Sequence, residues 1–243
     1  MDKKVVLITG GSRGIGAATS MEFAKLGYDL AINYVSDDSE ANRLKKEIED
    51  KYKVDVLLIK SDISNEENVK GIVKDVLNKY DKIDILINNA GIAIDSTLEG
   101  KTVENFKKIL NTNLIGTFLM CKYVGLEMLK NRNGSIVNIS STNGIDSFYP
   151  FSMDYDASKA GVISLTHNFA KEYAPYIRVN SIAPGWVNTD MNKQLDDDFK
   201  EEELSHILLD RFAEPDEIAK EIVHVANSTY LNDSIIKVDG GRC

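Results

Sequence analysis

The sequence predicts an α/β fold: one doubly wound parallel sheet with helices on both faces. Two observations carry that prediction. Short β-rich apolar runs alternate with longer charged stretches of helical period. The runs themselves, such as Val5-Val6-Leu7-Ile8, show little internal alternation, as expected of strands buried on both faces. Strand–helix alternation within one chain gives parallel strands joined by right-handed crossovers. The expected strands are 4–9, 30–34, 54–60, 83–88, 135–140, 177–183 and 234–238. Helical patterns fill 15–26, 39–51, 66–79, 103–130, 155–173 and 216–226. Pro150, Pro175, Pro184 and Pro215 all fall at expected element ends. The chain shows no internal repeat and no Pro/Gly/Ser-rich linker. Its 243 residues suit a single domain over 1–243, since α/β folds run to about 250 residues as one unit. The acidic run Asp196-Asp197-Asp198-Phe199-Lys200-Glu201-Glu202-Glu203 reads either as a solvated helix face or as part of a lid-like segment at 190–213.

Composition narrows the function class. Hydrophobic residues make up 43% of the chain, which excludes intrinsic disorder. The net charge is −9 and the pI is near 5.0, against the basic surface that nonspecific nucleic-acid binding requires. Apolar runs stop well short of the roughly 18 residues of a membrane helix. The first strand begins too early, with no small-residue cleavage site, for a signal peptide. Cys121 and Cys243 are the only cysteines, so a disulfide framework is not expected. Three histidines and no C-x-x-C leave little material for a metal site. The expectation is a cytoplasmic globular enzyme or binding protein without metal, nucleic-acid or membrane partners.

The first strand runs into Thr9-Gly10-Gly11-Ser12-Arg13-Gly14-Ile15-Gly16, which opens the first helix. Glycines let the backbone turn tightly and approach a pyrophosphate, and the free N–H groups at the helix start attract it. A purely structural turn would use the same glycines. The spacing is G-x-x-x-G-x-G, and no Gly-Lys-Ser/Thr follows, which excludes a Walker A loop. In dinucleotide folds an acid about 20 positions on grips the ribose 2′-hydroxyl. Here the second strand ends Asn33-Tyr34-Val35-Ser36 without one, and Asp37 and Asp38 are placed to cap the next helix. With Arg13 in the glycine turn as a ready cation, this favours NADP(H) over NAD(H). Asp37 leaning back to the ribose would reverse that preference.

Tyr155-Asp156-Ala157-Ser158-Lys159 sets a phenol and an ammonium on one helix face. Free tyrosine has a pKa of about 10. A neighbouring cation favours the phenolate and lowers that value, as a general acid/base requires. Ser140-Ser141 ends the preceding strand, within reach of a substrate carbonyl.

Together these residues resemble the short-chain dehydrogenase/reductase family. The matches are Thr9–Gly16, Asp62-Ile63-Ser64, Asn88-Asn89-Ala90-Gly91, Asn113 in Asn111-Thr112-Asn113-Leu114, Ser141, Tyr155 with Lys159, Pro184-Gly185-Trp186-Val187-Asn188-Thr189, and Val238-Asp239-Gly240-Gly241. They stand in the family's order over nearly the whole chain. The resemblance implies a Rossmann domain with strand order 3-2-1-4-5-6-7 and a homotetramer using the 103–130 and 155–173 helices. It implies that Tyr155 protonates the carbonyl oxygen as hydride arrives and that Ser141 polarises the carbonyl. Lys159 would lower the Tyr155 pKa and bind the nicotinamide ribose, and Asn113 would hold a water of the proton relay. Cofactor contacts are implied for Gly10, Ser12, Arg13, Gly14, Ile15, Gly16, Asn33, Asp62, Ile63, Asn89, Ala90, Gly91, Tyr155, Lys159, Pro184, Gly185, Val187 and Thr189. Asp62 and Ile63 would meet the adenine, Asn89 the adenosine-side ribose, and Val187 and Thr189 the carboxamide. Simpler roles remain open: Asn113 as a polar kink, Asn89 as a strand tie, Asp62 as a helix cap.

Within the family the segments 10–16, 134–141 and 183–191 most resemble 3-oxoacyl-[acyl-carrier-protein] reductases. That resemblance implies NADPH-dependent reduction of a β-keto thioester, with Arg132 as a contact for acyl carrier protein, an acidic partner. Four features depart from that group. Ala174-Pro175-Tyr176 lacks a second basic docking residue, and the net charge opposes an acidic partner. The loop before Tyr155, with Phe148-Tyr149-Pro150-Phe151, is longer and more aromatic. Leu208-Leu209-Asp210-Arg211-Phe212-Ala213 replaces a glycine-bearing segment. The aromatic loop residues either line an apolar pocket or pack on the protein. A sugar, polyol or other secondary-alcohol dehydrogenase shares all these motifs. A nucleotide-sensing regulator would be expected to lose part of the tetrad Asn113, Ser141, Tyr155 and Lys159.

Overall fold

The strands form where the apolar runs sit. They are β1 (Val5–Thr9), β2 (Asp29–Tyr34), β3 (Val56–Lys60), β4 (Ile85–Asn88), β5 (Gly134–Ile139), β6 (Ile177–Pro184) and β7 (Ile235–Val238). In the computed structural model, which describes residues 3–190 and 196–242, they make one parallel sheet. Its order is β3-β2-β1-β4-β5-β6-β7, as the resemblance implies. Registry is regular along the sheet: Leu7 lies beside Ala31 on one side and Leu86 on the other.

Two apolar cores follow from the pleat, because successive side chains point to opposite faces. Leu7, Ala31, Leu86, Ile136 and Val179 enter one core, while Ile8, Ile32, Ile87, Val137 and Ile182 enter the other. Helices α3 (Glu66–Tyr80), α5 (Gly116–Lys130) and α6 (Met153–Tyr173) cover the first core. Helices α1 (Gly14–Lys25), α2 (Asp38–Tyr52) and α8 (Pro215–Asn227) cover the second. Two-sided burial explains why the strands read as continuous apolar runs.

Local chemistry sets the helix starts. Asp37 accepts the Glu40 N–H at 3.0 Å and caps α2, so the capping alternative for this residue is realised. Asn65, not Asp62, caps α3 by accepting the Asn68 N–H. Pro215 opens α8 behind a capping box made by Glu214 and Glu217.

One expectation is corrected. The 103–130 pattern reads as a single helix, but the chain forms α4 (Val103–Leu110), a π-helical turn at Asn111–Ile115, and then α5. The cause is Asn113. Its side chain turns inward and binds both backbone groups of Ile92, accepting the N–H at 2.8 Å and donating to the carbonyl at 2.9 Å. A wider turn accommodates that inward reach, and π turns gather at functional sites. Of the acidic region, α7 (Asp197–Ser205) is helical, while 191–195 of the lid-like segment lie outside the described residues.

Candidate active site

The glycine turn is built to a tight tolerance. Gly10 and Gly14 take left-handed φ values of +60° and +53°. A Cβ on Gly16 would lie 2.1 Å from the Gly10 carbonyl oxygen, so no side chain fits there. Asn89 holds the turn from below, its Nδ2 donating to the carbonyls of Thr9 and Gly10 at 3.1 and 3.0 Å. The Thr9 hydroxyl accepts the N–H groups of Asn89 and Ala90, both at 3.1 Å. Arg13 makes no side-chain cap to α1, which leaves the helix N-terminus open. Across the cleft, Thr189 Cγ2 stands 3.4 Å from where a Gly14 Cβ would be. The cradle fits a dinucleotide pyrophosphate: tight glycines, open N–H groups and close backbone approach are the requirements. Gly16→Ala is expected to cost about 1–3 kcal/mol through overpacking. By displacing Gly10 it should also weaken NADPH binding, measurable by thermal melting and fluorescence titration.

Beside the cradle, Asn33 is buried at the end of β2. Its amide donates to the carbonyls of Ile59 and Ser61 at 3.2 and 2.8 Å, tying β2 to β3, and its backbone carbonyl accepts the Gly11 N–H. The donor side of that amide is therefore committed to the sheet. Arg13 is exposed, and Ser12 is buried within the turn next to the partly buried Ile15. Asp62 forms a turn by accepting the Ser64 N–H at 2.9 Å, and Ile63 is buried against Gly116. Gly185 N–H bonds the Val238 carbonyl at 3.0 Å, so Pro184 and Gly185 join the end of β6 to β7. Val187 is buried and bridges Ala213.

Ser141, Tyr155 and Lys159 meet at the carboxyl end of β5. The Tyr155 phenol shares a hydrogen bond with the Ser141 hydroxyl. Ser140 is turned the other way, donating to the Ile182 carbonyl at 3.1 Å. Lys159 is buried; its Nζ lies 5.4 Å from the Tyr155 ring centroid and donates to the Ile139 carbonyl at 2.7 Å. Gly91 faces the same group, since a Cβ there would lie 3.5 Å from both Lys159 Nζ and Asn113 Oδ1. Asn113 Nδ2 also donates to Ser158 Oγ at 3.1 Å, which links the π turn to α6.

Burial dominates the electrostatics of the Tyr155–Lys159 pair. Burial pushes the Tyr155 phenol up to about 12, and the Ser141 hydrogen bond opposes this only in part. Burial in turn pushes Lys159 down to about 8. The pair therefore holds a protonated phenol beside a lysine whose charge changes just above neutrality.

Three arrangements are not evident in the sequence. Lys101 and Asp154 form a buried ion pair at 2.9 Å, and the same ammonium donates to the carbonyls of Ile94 and Phe151 at 2.8 and 3.0 Å. Asp154 Oδ1 also accepts the Tyr155 N–H at 3.1 Å, so this pair anchors the helix turn that carries the phenol. Glu203, in the acidic run read as a solvated face, is buried and accepts the Trp186 indole N–H at 2.6 Å. Arg132 stacks over the Tyr176 ring at 5.3 Å, so the position without a second cation supplies a platform for the first.

Comparison with known proteins agrees with this geometry. A sequence model of short chain dehydrogenase matches residues 4–200. A 3-oxoacyl-[acyl-carrier-protein] reductase FabG of Thermotoga maritima is 39% identical over 244 residues, covering 99% of this chain and 98% of its own. A FabG of Staphylococcus aureus is 36% identical over 241 residues, covering 98% and 97%. Among solved structures, levodione reductase superposes with a TM-score of 0.93 at 34% identity, over 98% of this chain and 96% of that one. ElxO with NADP bound gives 0.90 at 32% identity, over 98% of each chain. The chain belongs to the short-chain dehydrogenase/reductase family and is an NAD(P)-dependent oxidoreductase acting on CH–OH and carbonyl groups.

Proposed function

We propose that the protein reduces 3-oxoacyl thioesters, linked to acyl carrier protein or coenzyme A, to 3-hydroxyacyl thioesters with NADPH. The observation that carries this reading is the Ser141–Tyr155 hydrogen-bonded pair at the end of β5, with Lys159 against the phenol ring. Bound NADPH supplies the hydride. Tyr155, protonated at neutral pH, donates its proton to the carbonyl oxygen. Ser141 donates a hydrogen bond that orients and polarises the same oxygen. Lys159 supplies positive charge behind the phenol as it gives up its proton. Asn113 fixes the loop after Ala90-Gly91 through Ile92 and positions a relay water. Gly10, Ser12, Arg13, Gly14, Ile15 and Gly16 hold the pyrophosphate end of the cofactor. Asp62, Ile63, Asn89 and Ala90 line the adenosine side, and Pro184, Gly185, Val187 and Thr189 the nicotinamide side. The 3-oxoacyl assignment is supported by the names of the FabG relatives.

The cofactor preference rests on the cap geometry. Asp37 is spent on the Glu40 N–H, which leaves Arg13 as the charged group at the turn. Arg13→Ala is expected to weaken NADPH by roughly 10- to 100-fold, as for a charged hydrogen bond of about 1.5–3 kcal/mol, and NADH by far less. Titration of both nucleotides checks this, and equal losses would place the 2′-phosphate elsewhere.

The same proposal includes a single domain, a homotetramer, a cytoplasmic setting, a lid-like role for 190–213 and an acyl-carrier-protein contact at Arg132. Exposed Phe118 and Leu126 on α5 support the assembly, and the Arg132–Tyr176 stack supports the carrier contact. The deciding experiment is steady-state kinetics with acetoacetyl-CoA, glucose and ribitol, using both cofactors in both directions. Turnover of the thioester with NADPH upholds the reading, and turnover of the polyols alone replaces it.

A further inference from the structure

A chain of aromatic rings ties the loop between Ser141 and Tyr155 to the segment after β6 and to α7. Tyr149 lies 5.3 Å from Phe151 and 5.3 Å from Phe199. Trp186 meets Phe199 edge-on at 5.6 Å and stacks on Phe212 at 5.8 Å. These rings come from separate segments of the chain. Tyr149 belongs to the loop between Ser141 and Tyr155, Trp186 follows β6 just before Val187, and Phe199 rides on α7. The loop is fixed from below, because Asp156 accepts the Tyr149 N–H at 3.0 Å and the Ser152 hydroxyl at 2.9 Å.

What holds α7 in place is not its own acidic, mostly exposed surface but Glu203. One carboxylate oxygen of this buried residue accepts the Trp186 indole N–H at 2.6 Å and pairs with Arg242 at 2.7 Å. Backbone bonds reinforce the attachment: the N–H groups of Leu208 and Leu209 bond the carbonyls of Gly241 and Gly240 at 3.2 and 3.1 Å. The segment after β7 thus fastens α7 to Trp186 and sets the distance between Phe199 and Tyr149. A buried carboxylate with two strong donors has one arrangement, and removing the cation leaves it uncompensated.

We propose that Glu203 and Arg242 are positioning residues that hold the Tyr149–Phe199 ring pair as the specificity-determining wall of the carbonyl pocket. The wall favours β-keto substrates carrying a compact, flat apolar group. The inference rests on the reading of Ser141 and Tyr155 as the carbonyl site. Its physical basis is that rigid aromatic faces reward flat apolar groups through large contact area and ring–ring geometry. Such discrimination requires that the rings be held in place before substrate arrives.

The test uses the full chain with NADPH and two probes, ethyl benzoylacetate and ethyl acetoacetate. The wild-type protein is expected to prefer the aryl ester in kcat/KM. Phe199→Ala and Arg242→Ala should each lower the aryl-to-alkyl ratio by roughly tenfold, mainly through KM, the upper end of what an aromatic contact contributes. Arg242→Lys should restore most of it. Trp186 is the only tryptophan, so its emission reports the clamp directly and should shift in Arg242→Ala. A merely structural role would lower both kcat/KM values together and leave their ratio unchanged. A ratio in both variants within about twofold of wild type, well below the expected change, overturns the proposal. Should Arg242→Ala fail to fold, Phe199→Leu carries the same ratio test. Full activity of Tyr155→Phe, or no activity of the wild type on either ester, overturns the carbonyl-site reading and this inference with it.

Discussion

Tyr155→Phe is expected to lower carbonyl turnover by about 10²–10⁴-fold, the range a positioned general acid contributes. NADPH affinity should stay near the wild-type value. The substitution removes one oxygen and its bond to Ser141, while the ring keeps its place on α6 over Lys159. Because burial holds the phenol near 12, the hydroxyl is protonated through the neutral range and is ready to donate in the reductive direction. Lys159 adds a pH signature. Its folded-state value of about 8 lies below that of free lysine, so the ammonium is present below pH 8 and is lost above it. The kcat/KM of reduction should therefore be level below about pH 8 and fall above it. Lys159→Met should be slow at every pH, with that fall absent. A pH–rate profile of the three proteins checks both statements.

Lys101→Met is expected to destabilise the fold by about 3–5 kcal/mol, the cost of leaving one member of a buried ion pair alone. Asp154 is completely buried, and its second oxygen has no hydrogen-bond partner. The carboxylate therefore depends on the Lys101 ammonium, which also carries the carbonyls of Ile94 and Phe151. Lys101→Met with Asp154→Leu should recover most of the loss, because replacing both charges by apolar groups is often close to neutral. Denaturant unfolding of the two single variants and the double variant measures the coupling. Equal and additive losses would mean that the pair contributes packing alone. The pair also joins the loop after β4 to the first turn of α6, so the single variant should lose turnover before it loses its fold.

The framework was legible because its signals are local. Each expected strand overlaps an observed one with ends shifted by no more than a residue or two, since a buried parallel strand needs only a short apolar run bounded by polar residues. The glycine turn was legible for the same reason: Gly10, Gly14 and Gly16 are required by backbone geometry within one segment. What escaped depends on partners distant in sequence. Nothing near Asn113 marks a π turn, because the apolar pattern of 103–130 continues through it; the turn is set by Ile92 across the cleft. Glu203 looks like its acidic neighbours until Trp186 and Arg242 close around it. Nothing in the sequence pairs Lys101 with Asp154, which stand 53 positions apart in the chain. The Asn33 amide donates to the backbone of β3 and of the segment after it, partners 26 and 28 positions away. The tyrosine–lysine spacing conveys proximity but not the desolvation that raises the Tyr155 phenol and lowers Lys159.

The most direct measurement follows deuterium from C4 of labelled NADPH during reduction of acetoacetyl-CoA. The wild-type protein should place the label on the carbinol carbon of 3-hydroxybutyryl-CoA, and Tyr155→Phe should form that product at a small fraction of the rate. Product without the label, or equally fast labelling by Tyr155→Phe, would contradict hydride transfer to a carbonyl protonated by this residue.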